Sequence, residues 1–265
     1  VVRKPGYDAV TFTGSADVGW HLKETAGRKH VSLELGGNAA VVIEPDCADI
    51  EFAVQRTMLG SFAYAGQVCI SVQRILVHEN IYEDVKGRSI SHIDSLNLGD
   101  PLLPDTDIGP MITEKEAERA EKWISEAVDQ GAQILCGGSR KKGLVSPCLL
   151  EQVPFTAKVW AEEVFAPVAV LQPYSVFEEA VEMVNDSRFG LQAGVFTPDI
   201  EKAMYAFDKI DTGGVIINDI PTYRVDHMPY GGIKESGFGR EGVKYAIEEM
   251  SELKLMVINR LSFGD

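Results

Sequence analysis

The sequence is poor in the features that mark several function classes. Lys and Arg total 25 against 40 Asp and Glu, a formal net charge of −15. So acidic a chain repels nucleic acid and anionic membrane surfaces unless its cations cluster, and it has no long basic run. Neither nucleic acid nor membrane is expected as a partner. No stretch approaches the ~18 apolar residues of a membrane span, and the opening VVRKPGYDAV shows no apolar signal-type region. Cysteine is scarce: Cys47, Cys69, Cys136 and Cys148 are the whole complement. None forms a CxxC pair, so zinc and dithiol readings lack support. The histidines at 21, 30, 78, 92 and 227 include no HExxH spacing, and no metal is expected. GxSxG and Walker A sequences are missing, which removes serine-hydrolase and P-loop readings. Free thiols in such a chain suit a reducing compartment and point to the cytoplasm.

What is present is ordinary for a globular protein: 265 residues, 45% hydrophobic and 25% charged, enough for one large or two modest domains. Strand-like and helix-like runs alternate, which predicts α/β architecture. Expected strands are Ala9–Phe12, Val31–Leu35, Ala39–Ile43, Arg74–Val77, Ile134–Cys136, Val168–Leu171, Val195–Phe196, Val215–Ile217 and Lys254–Ile258. Expected helices are Ala16–Ala26 behind a Ser15 N-cap, Ile50–Phe62, Glu114–Gln130, Val176–Val184, Ile200–Phe207 and Val243–Met250. A long polar segment, NDIPTYRVDHMPYGGIKESGFGREG, separates the last strand pair; loops of that length are usually functional or disordered. The first strand starts almost at residue 1, which suggests a chain cut from something longer.

Three places carry chemistry. Cys69 lies in GQVCIS, on a loop after a helical run. A lone free cysteine is most often simply buried, but reactive thiols occupy polar, partly exposed loops of this kind. The other three cysteines have plainer surroundings. Glu34 lies in SLELGGN, at the end of a strand and followed at once by Gly36-Gly37. It is either a solvated strand glutamate or a base placed where α/β sheets put their sites. FTGSADVG follows a strand and opens a helix, so Gly14 and Ser15 either form a tight capped turn or bind phosphate at a helix N-terminus. GFGREG matches GxGxxG only formally, because no strand precedes it.

FTGS, LELGGN, GQVCIS, EEVFAPV and MPYGGIKESGFGREG, in that order, resemble the aldehyde dehydrogenase superfamily over essentially the whole chain. The resemblance implies an aldehyde dehydrogenase-like catalytic domain with a mostly parallel sheet flanked by helices, plus the tail of a Rossmann-like domain. It implies NAD(P)-dependent oxidation of an aldehyde to a carboxylic acid, with Cys69 as nucleophile and Glu34 as the base that activates water. Gly14 and Ser15 would contact the cofactor diphosphate, Leu35 and Phe165 would lie near the nicotinamide, and Glu163 would hold its ribose. By their positions, Tyr64 near Cys69 and Tyr223 and Arg224 in the long polar loop are candidates for the substrate funnel, where Arg224 would either pair with a carboxylate or phosphate of the substrate or serve a salt bridge.

The same resemblance implies segments 1–34, the end of a nucleotide-binding domain; 35–235, the catalytic domain; and 236–265, a returning helix and oligomerisation strand. A homodimer or homotetramer follows for the full-length protein. The family's large N-terminal segment has no counterpart here, including its oxyanion asparagine and the residues that choose NAD or NADP. The chain is therefore expected to be a fragment, inactive alone. Two alternatives stay open: a non-enzymatic derivative of the family, and a thiol-dependent acyltransferase, which would need no EEVF or FTGS motif.

Overall fold

The longest unbroken apolar runs become the middle of a seven-stranded sheet. A strand covered on both faces needs no polar alternation, and every residue of Ala39–Ile43 (β3) is buried in the computed structural model, which describes residues 2–260. The preceding elements are Ala9–Thr13 (β1), Ala16–Thr25 (α1) and His30–Glu34 (β2). Those that follow are Ile50–Phe62 (α2), Val72–His78 (β4), Tyr82–Asp94 (α3), Glu114–Asp129 (α4) and Gln133–Cys136 (β5).

The large sheet has the order Gly214–Ile217, Gln192–Phe196, β3, β4, Val168–Tyr174, Cys148–Glu151, β5. Its pairings are parallel except at the β5 edge. Helices Phe177–Asn185 and Ile200–Lys209 join its strands as crossovers, as parallel pairing requires. The expected mostly parallel α/β fold is thus the one found. Amphipathic α4 shows the cause locally. Thr113 caps it by accepting from the Glu116 amide, and Ala117, Ala120, Ile124 and Ala127 are its buried stripe.

A second, three-stranded sheet stands apart: β1 and β2 are parallel, and Gly237–Phe238 returns from far down the chain to lie antiparallel on β2. Its own small core joins Ala16, Leu33, Leu35 and Phe189. Helix α1 lies so close to β2 that a Cβ at Gly19 would overlap the Leu35 side chain.

One expectation needs correction. Lys254–Ile258 is not a strand: residues 251–260 pair with no strand among the described residues, and Leu253, Leu255, Met256, Val257 and Ile258 are exposed. Extended chain becomes a strand only when a neighbour completes its ladder. Val1 of the first expected segment and 261–265 of the third lie outside the described residues. Helix α3 was not anticipated, because only Val85, Ser89 and Ile93 of its thirteen residues are buried. Nor was Cys148–Glu151, whose four residues are all buried.

Candidate active site

The site lies where the two sheets meet. In-register pairing of β1 and β2 sets Thr13 beside Glu34. The residues that follow, Gly14-Ser15 on one strand and Leu35-Gly36-Gly37 on the other, therefore leave the same edge, the carboxyl end where open α/β sheets hold ligands.

Cys69 is presented by a sharply bent loop. Helix α2 stops at Phe62, and Tyr64, Ala65 and Gly66 take successive left-handed conformations, with φ of 54°, 55° and 67°. Two non-glycine residues in that region signal a geometry imposed by the surroundings. Part of the cause is contact: a Cβ at Gly66 would overlap the Ala166 carbonyl, so the loop rests on the turn after Phe165. The Cys69 thiol, half-buried beside Ile70, Leu191 and Tyr230, lies 3.3 Å from the Tyr230 hydroxyl. Burial raises its pKa, the Glu163 and Glu34 carboxylates add to that, and the Tyr230 hydrogen bond opposes them.

Glu34 is buried, 6% exposed, and neither carboxylate oxygen has a hydrogen-bond partner among the described residues. Its backbone is fixed: the carbonyl accepts from Gly14 N–H at 3.1 Å, and the next amide, Leu35, donates to Ser236 at 2.9 Å. Desolvation is the main reason its pKa rises to about 8; Glu241 adds to the rise, and Arg224 and Arg240 oppose it. A carboxyl in dry surroundings with unengaged oxygens is suited to proton transfer near neutral pH. The alternating pattern of β2 suggested a glutamate on a polar face. Instead Gly237–Phe238 pairs along that end of β2, and the loop before it brings Gly231 against the Glu34 carboxylate.

Glu163 faces the same spot. Its Oε1 accepts from the Gly37 amide at 2.8 Å, and a Cβ at Gly36 would overlap its carboxylate. Burial raises its pKa against the pull of the Gly37 amide and of Arg119 and Arg188. The loop carrying it is clamped by Gln73, just past the nucleophile: Gln73 donates to the Val159 and Glu162 carbonyls and accepts from the Val164 amide. Phe165, next along, has φ of 49° and leaves its ring partly exposed.

The remaining residues fall as follows. Ser15 heads α1 with no side-chain capping bond among the described residues, so its hydroxyl does not occupy the first-turn amides, whereas the Gly14 amide is already engaged by Glu34. The Leu35 side chain is buried against α1, leaving backbone to face the site. Tyr64 and Tyr223 are exposed. Arg224 pairs with Glu241 at 2.8 Å and lies over the Tyr230 ring, 4.1 Å from its centre. A cavity of about 1000 Å³ opens beside the site; Lys23, Arg224, Phe238 and Arg240 line it, but Cys69 and Glu34 do not. Among the described residues no group of three or more His, Cys, Asp or Glu could hold a metal, and no helix is long and apolar enough to cross a membrane.

Sequence reasoning missed Tyr230 and Gln73. Gln73 left one signal, a polar residue inside an apolar strand. Tyr230 left none beyond its place in a glycine-rich loop.

Known proteins resemble this chain in sequence and fold. The model of the aldehyde dehydrogenase family matches residues 1–256. A 3-sulfolactaldehyde dehydrogenase of Priestia aryabhattai is 50% identical over 249 residues, 94% of this chain and 52% of that protein. A lactaldehyde dehydrogenase of Methanococcus aeolicus is 43% identical over 261 residues, 98% of this chain and 55% of that protein. Among solved structures, aldehyde dehydrogenase 21 of Physcomitrella patens, in complex with the reaction product succinate, superposes with a TM-score of 0.96 at 44% identity, covering 98% of this chain and 54% of that one. Glyceraldehyde-3-phosphate dehydrogenase of Methanocaldococcus jannaschii, complexed with NADP, gives 0.94 at 41%, covering 98% and 56%. The chain spans about half the length of the curated relatives it matches. With a family match over nearly every residue and the same fold in these solved relatives, the chain belongs to the aldehyde dehydrogenase family.

Proposed function

We propose that the whole protein oxidises a small aldehyde to its carboxylic acid with NAD or NADP, using Cys69 as nucleophile and Glu34 as base. The observation that carries this is the pairing of a thiol with an unengaged, buried carboxylate near neutral pKa. The Cys69 sulfur adds to the aldehyde carbon and gives a thiohemiacetal. When bound, the cofactor supplies the hydride acceptor, and the carbon is left as a Cys69 thioester. Glu34 takes a proton from water, the oxygen adds to the thioester carbon, and the Cys69 thiolate departs with the acid released.

The residues fit such a cofactor. The Ser15 hydroxyl and the first amides of α1 are free for a diphosphate. Glu163 keeps Oε2 without a hydrogen-bond partner among the described residues, close to Gly36 at the edge of the small sheet, and so has an acceptor for ribose hydroxyls. Phe165 and the Leu35 backbone would flank the nicotinamide. Relatives 43–50% identical act on lactaldehyde and sulfolactaldehyde by name, and the partly exposed Arg224 suits a short aldehyde with an anionic or polar group. Tyr64 and Tyr223 would form the mouth of the funnel. Residues 1–34 would end the nucleotide-binding domain, 35–235 would form the catalytic domain, and the apolar segment 253–258 would complete a sheet in a second copy of a cytoplasmic homo-oligomer.

The test is a panel of lactaldehyde, sulfolactaldehyde, succinate semialdehyde and uncharged aldehydes, each with NAD and with NADP, on the whole protein. NAD(P)H formation that disappears in Cys69→Ala supports the proposal. Absence of NAD(P)H formation across the panel contradicts it.

A further inference from the structure

We infer that Tyr230 is a catalytic residue whose hydroxyl donates a hydrogen bond to the Cys69 thiolate and sets the readiness of that sulfur to attack. The inference deepens the proposed role of Cys69, but the hydrogen bond stands in the structure whatever the substrate. Cys69 Sγ and Tyr230 Oη are 3.3 Å apart. With a neutral thiol either atom can donate. A thiolate has no proton, so once the sulfur ionises only the hydroxyl can. Hydrogen bonds to an ionised acceptor are the stronger class, so this bond favours the thiolate.

The surroundings make that bond consequential. Around the sulfur, the charged groups that act on it are Glu163 and Glu34, both carboxylates and both opposing a second negative charge. Burial opposes the thiolate as well. No Lys, Arg or His side chain hydrogen-bonds to Cys69 among the described residues, and Tyr230 is its one polar side-chain partner there. Reactive cysteines ordinarily rely on a neighbouring cation or a helix N-terminus; here a phenol takes that place.

Tyr230 is built to hold the position. It is 4% exposed and packed with Ile70 and Leu191. Its backbone is pinned on both sides by Glu241, whose carbonyl accepts at 3.0 Å and whose amide donates at 2.6 Å. The Arg224 guanidinium over the ring, 4.1 Å from its centre, withdraws electron density and makes the hydroxyl a better donor. Burial, Cys69 and Glu34 raise the phenol's own pKa, with Arg224 opposing them, so it stays protonated and able to donate.

The test uses the whole protein without aldehyde or cofactor, so its outcome is independent of whether the oxidation proposal holds. Alkylation by iodoacetamide is followed against pH, with each cysteine read separately by peptide mass spectrometry. In Tyr230→Phe the Cys69 midpoint should rise by about one pH unit, the scale of one hydrogen bond to a charged group, while the Cys47 midpoint stays where it was. An unmoved Cys69 midpoint, or an equal shift at Cys47, overturns the inference. If Tyr230→Phe does not fold, 3-fluorotyrosine at 230 keeps the ring and acidifies the hydroxyl. The Cys69 midpoint should then fall, and a midpoint that stays or rises overturns the inference equally.

Discussion

Gly37 lies directly against Cys69: a Cβ at residue 37 would overlap the Cys69 carbonyl oxygen, while the Gly37 amide donates to Glu163 at 2.8 Å. One glycine thus ties the end of the Glu34 strand to the nucleophile loop and to the Glu163 carboxylate. Gly37→Ala must push that backbone away. The expected result is a loss of about 1–3 kcal/mol in unfolding free energy together with a changed Cys69 alkylation rate, measured by urea unfolding and iodoacetamide trapping. A variant with unchanged stability and unchanged thiol reactivity would show that the contact constrains nothing.

Of the four cysteines, Cys69 alone should be essential for aldehyde oxidation. Burial holds the Cys136 thiol up at about 11 and the Cys148 thiol up at about 12, and neither lies at the carboxyl edge shared by β1 and β2. Turnover is to be measured in single Cys→Ala variants of the whole protein. Near-normal turnover in Cys69→Ala would refute the assignment.

The raised pKa of Glu34 has a defined sign in turnover. At neutral pH the carboxyl is largely protonated, so deacylation should quicken as pH rises and level off above about 8. Glu34→Gln should remove that dependence and slow steady turnover by ~10²–10⁴-fold, while a first burst of NAD(P)H survives. If burst and turnover fall together, Glu34 acts on the thiol instead.

The same shift also affects folding. The folded value, about 8, lies above the ordinary glutamate value of 4.5, so between those pH values the folded chain holds a proton that the unfolded chain has released. Stability contributed by this group is complete below pH 4.5, falls as pH rises through that window, and is lost above it. Glu34→Gln lacks this term. Its advantage over the parent chain should grow from acid to alkaline pH and reach a few kcal/mol, on the order given by ~1.4 kcal/mol per pKa unit. Urea unfolding at pH 5 and pH 9 measures it, and a constant difference would contradict the burial of Glu34.

The exposed apolar side chains of Leu253, Leu255, Met256, Val257 and Ile258 should pair with a sheet of a second copy, since such a segment exposes both apolar surface and unpaired backbone. Removing residues 252–265 from the whole protein should lower its mass in solution to a smaller assembly. An unchanged mass would exclude this segment from the interface.

How far the sequence spoke depended on whether a signal was local. Ile50–Phe62 was legible to the residue because a buried face imposes its period on neighbouring positions, and Ala39–Ile43 because burial of both faces leaves an unbroken apolar run. Helix α3 was hidden because its buried stripe is thin and includes Ser89. Cys69 and Glu34 were found from glycines beside them and from motif order. Tyr230 was not, because its hydrogen bond to Cys69 spans 161 residues of sequence, and no local pattern records so distant a meeting. The burial of Glu34 was hidden for the same reason: the loop that comes close to its carboxylate, at Gly231, arrives some two hundred residues later.

The central claim is that Cys69 carries the acyl group and Glu34 releases it. The most direct measurement is to mix the Glu34→Gln whole protein with lactaldehyde and NAD or NADP, quench in acid, and weigh the peptide containing Cys69. The account predicts an acyl adduct on Cys69 that accumulates in the variant and is scarce in the parent protein. Continued acid formation with Cys69 unmodified, or an adduct on another side chain, would contradict it.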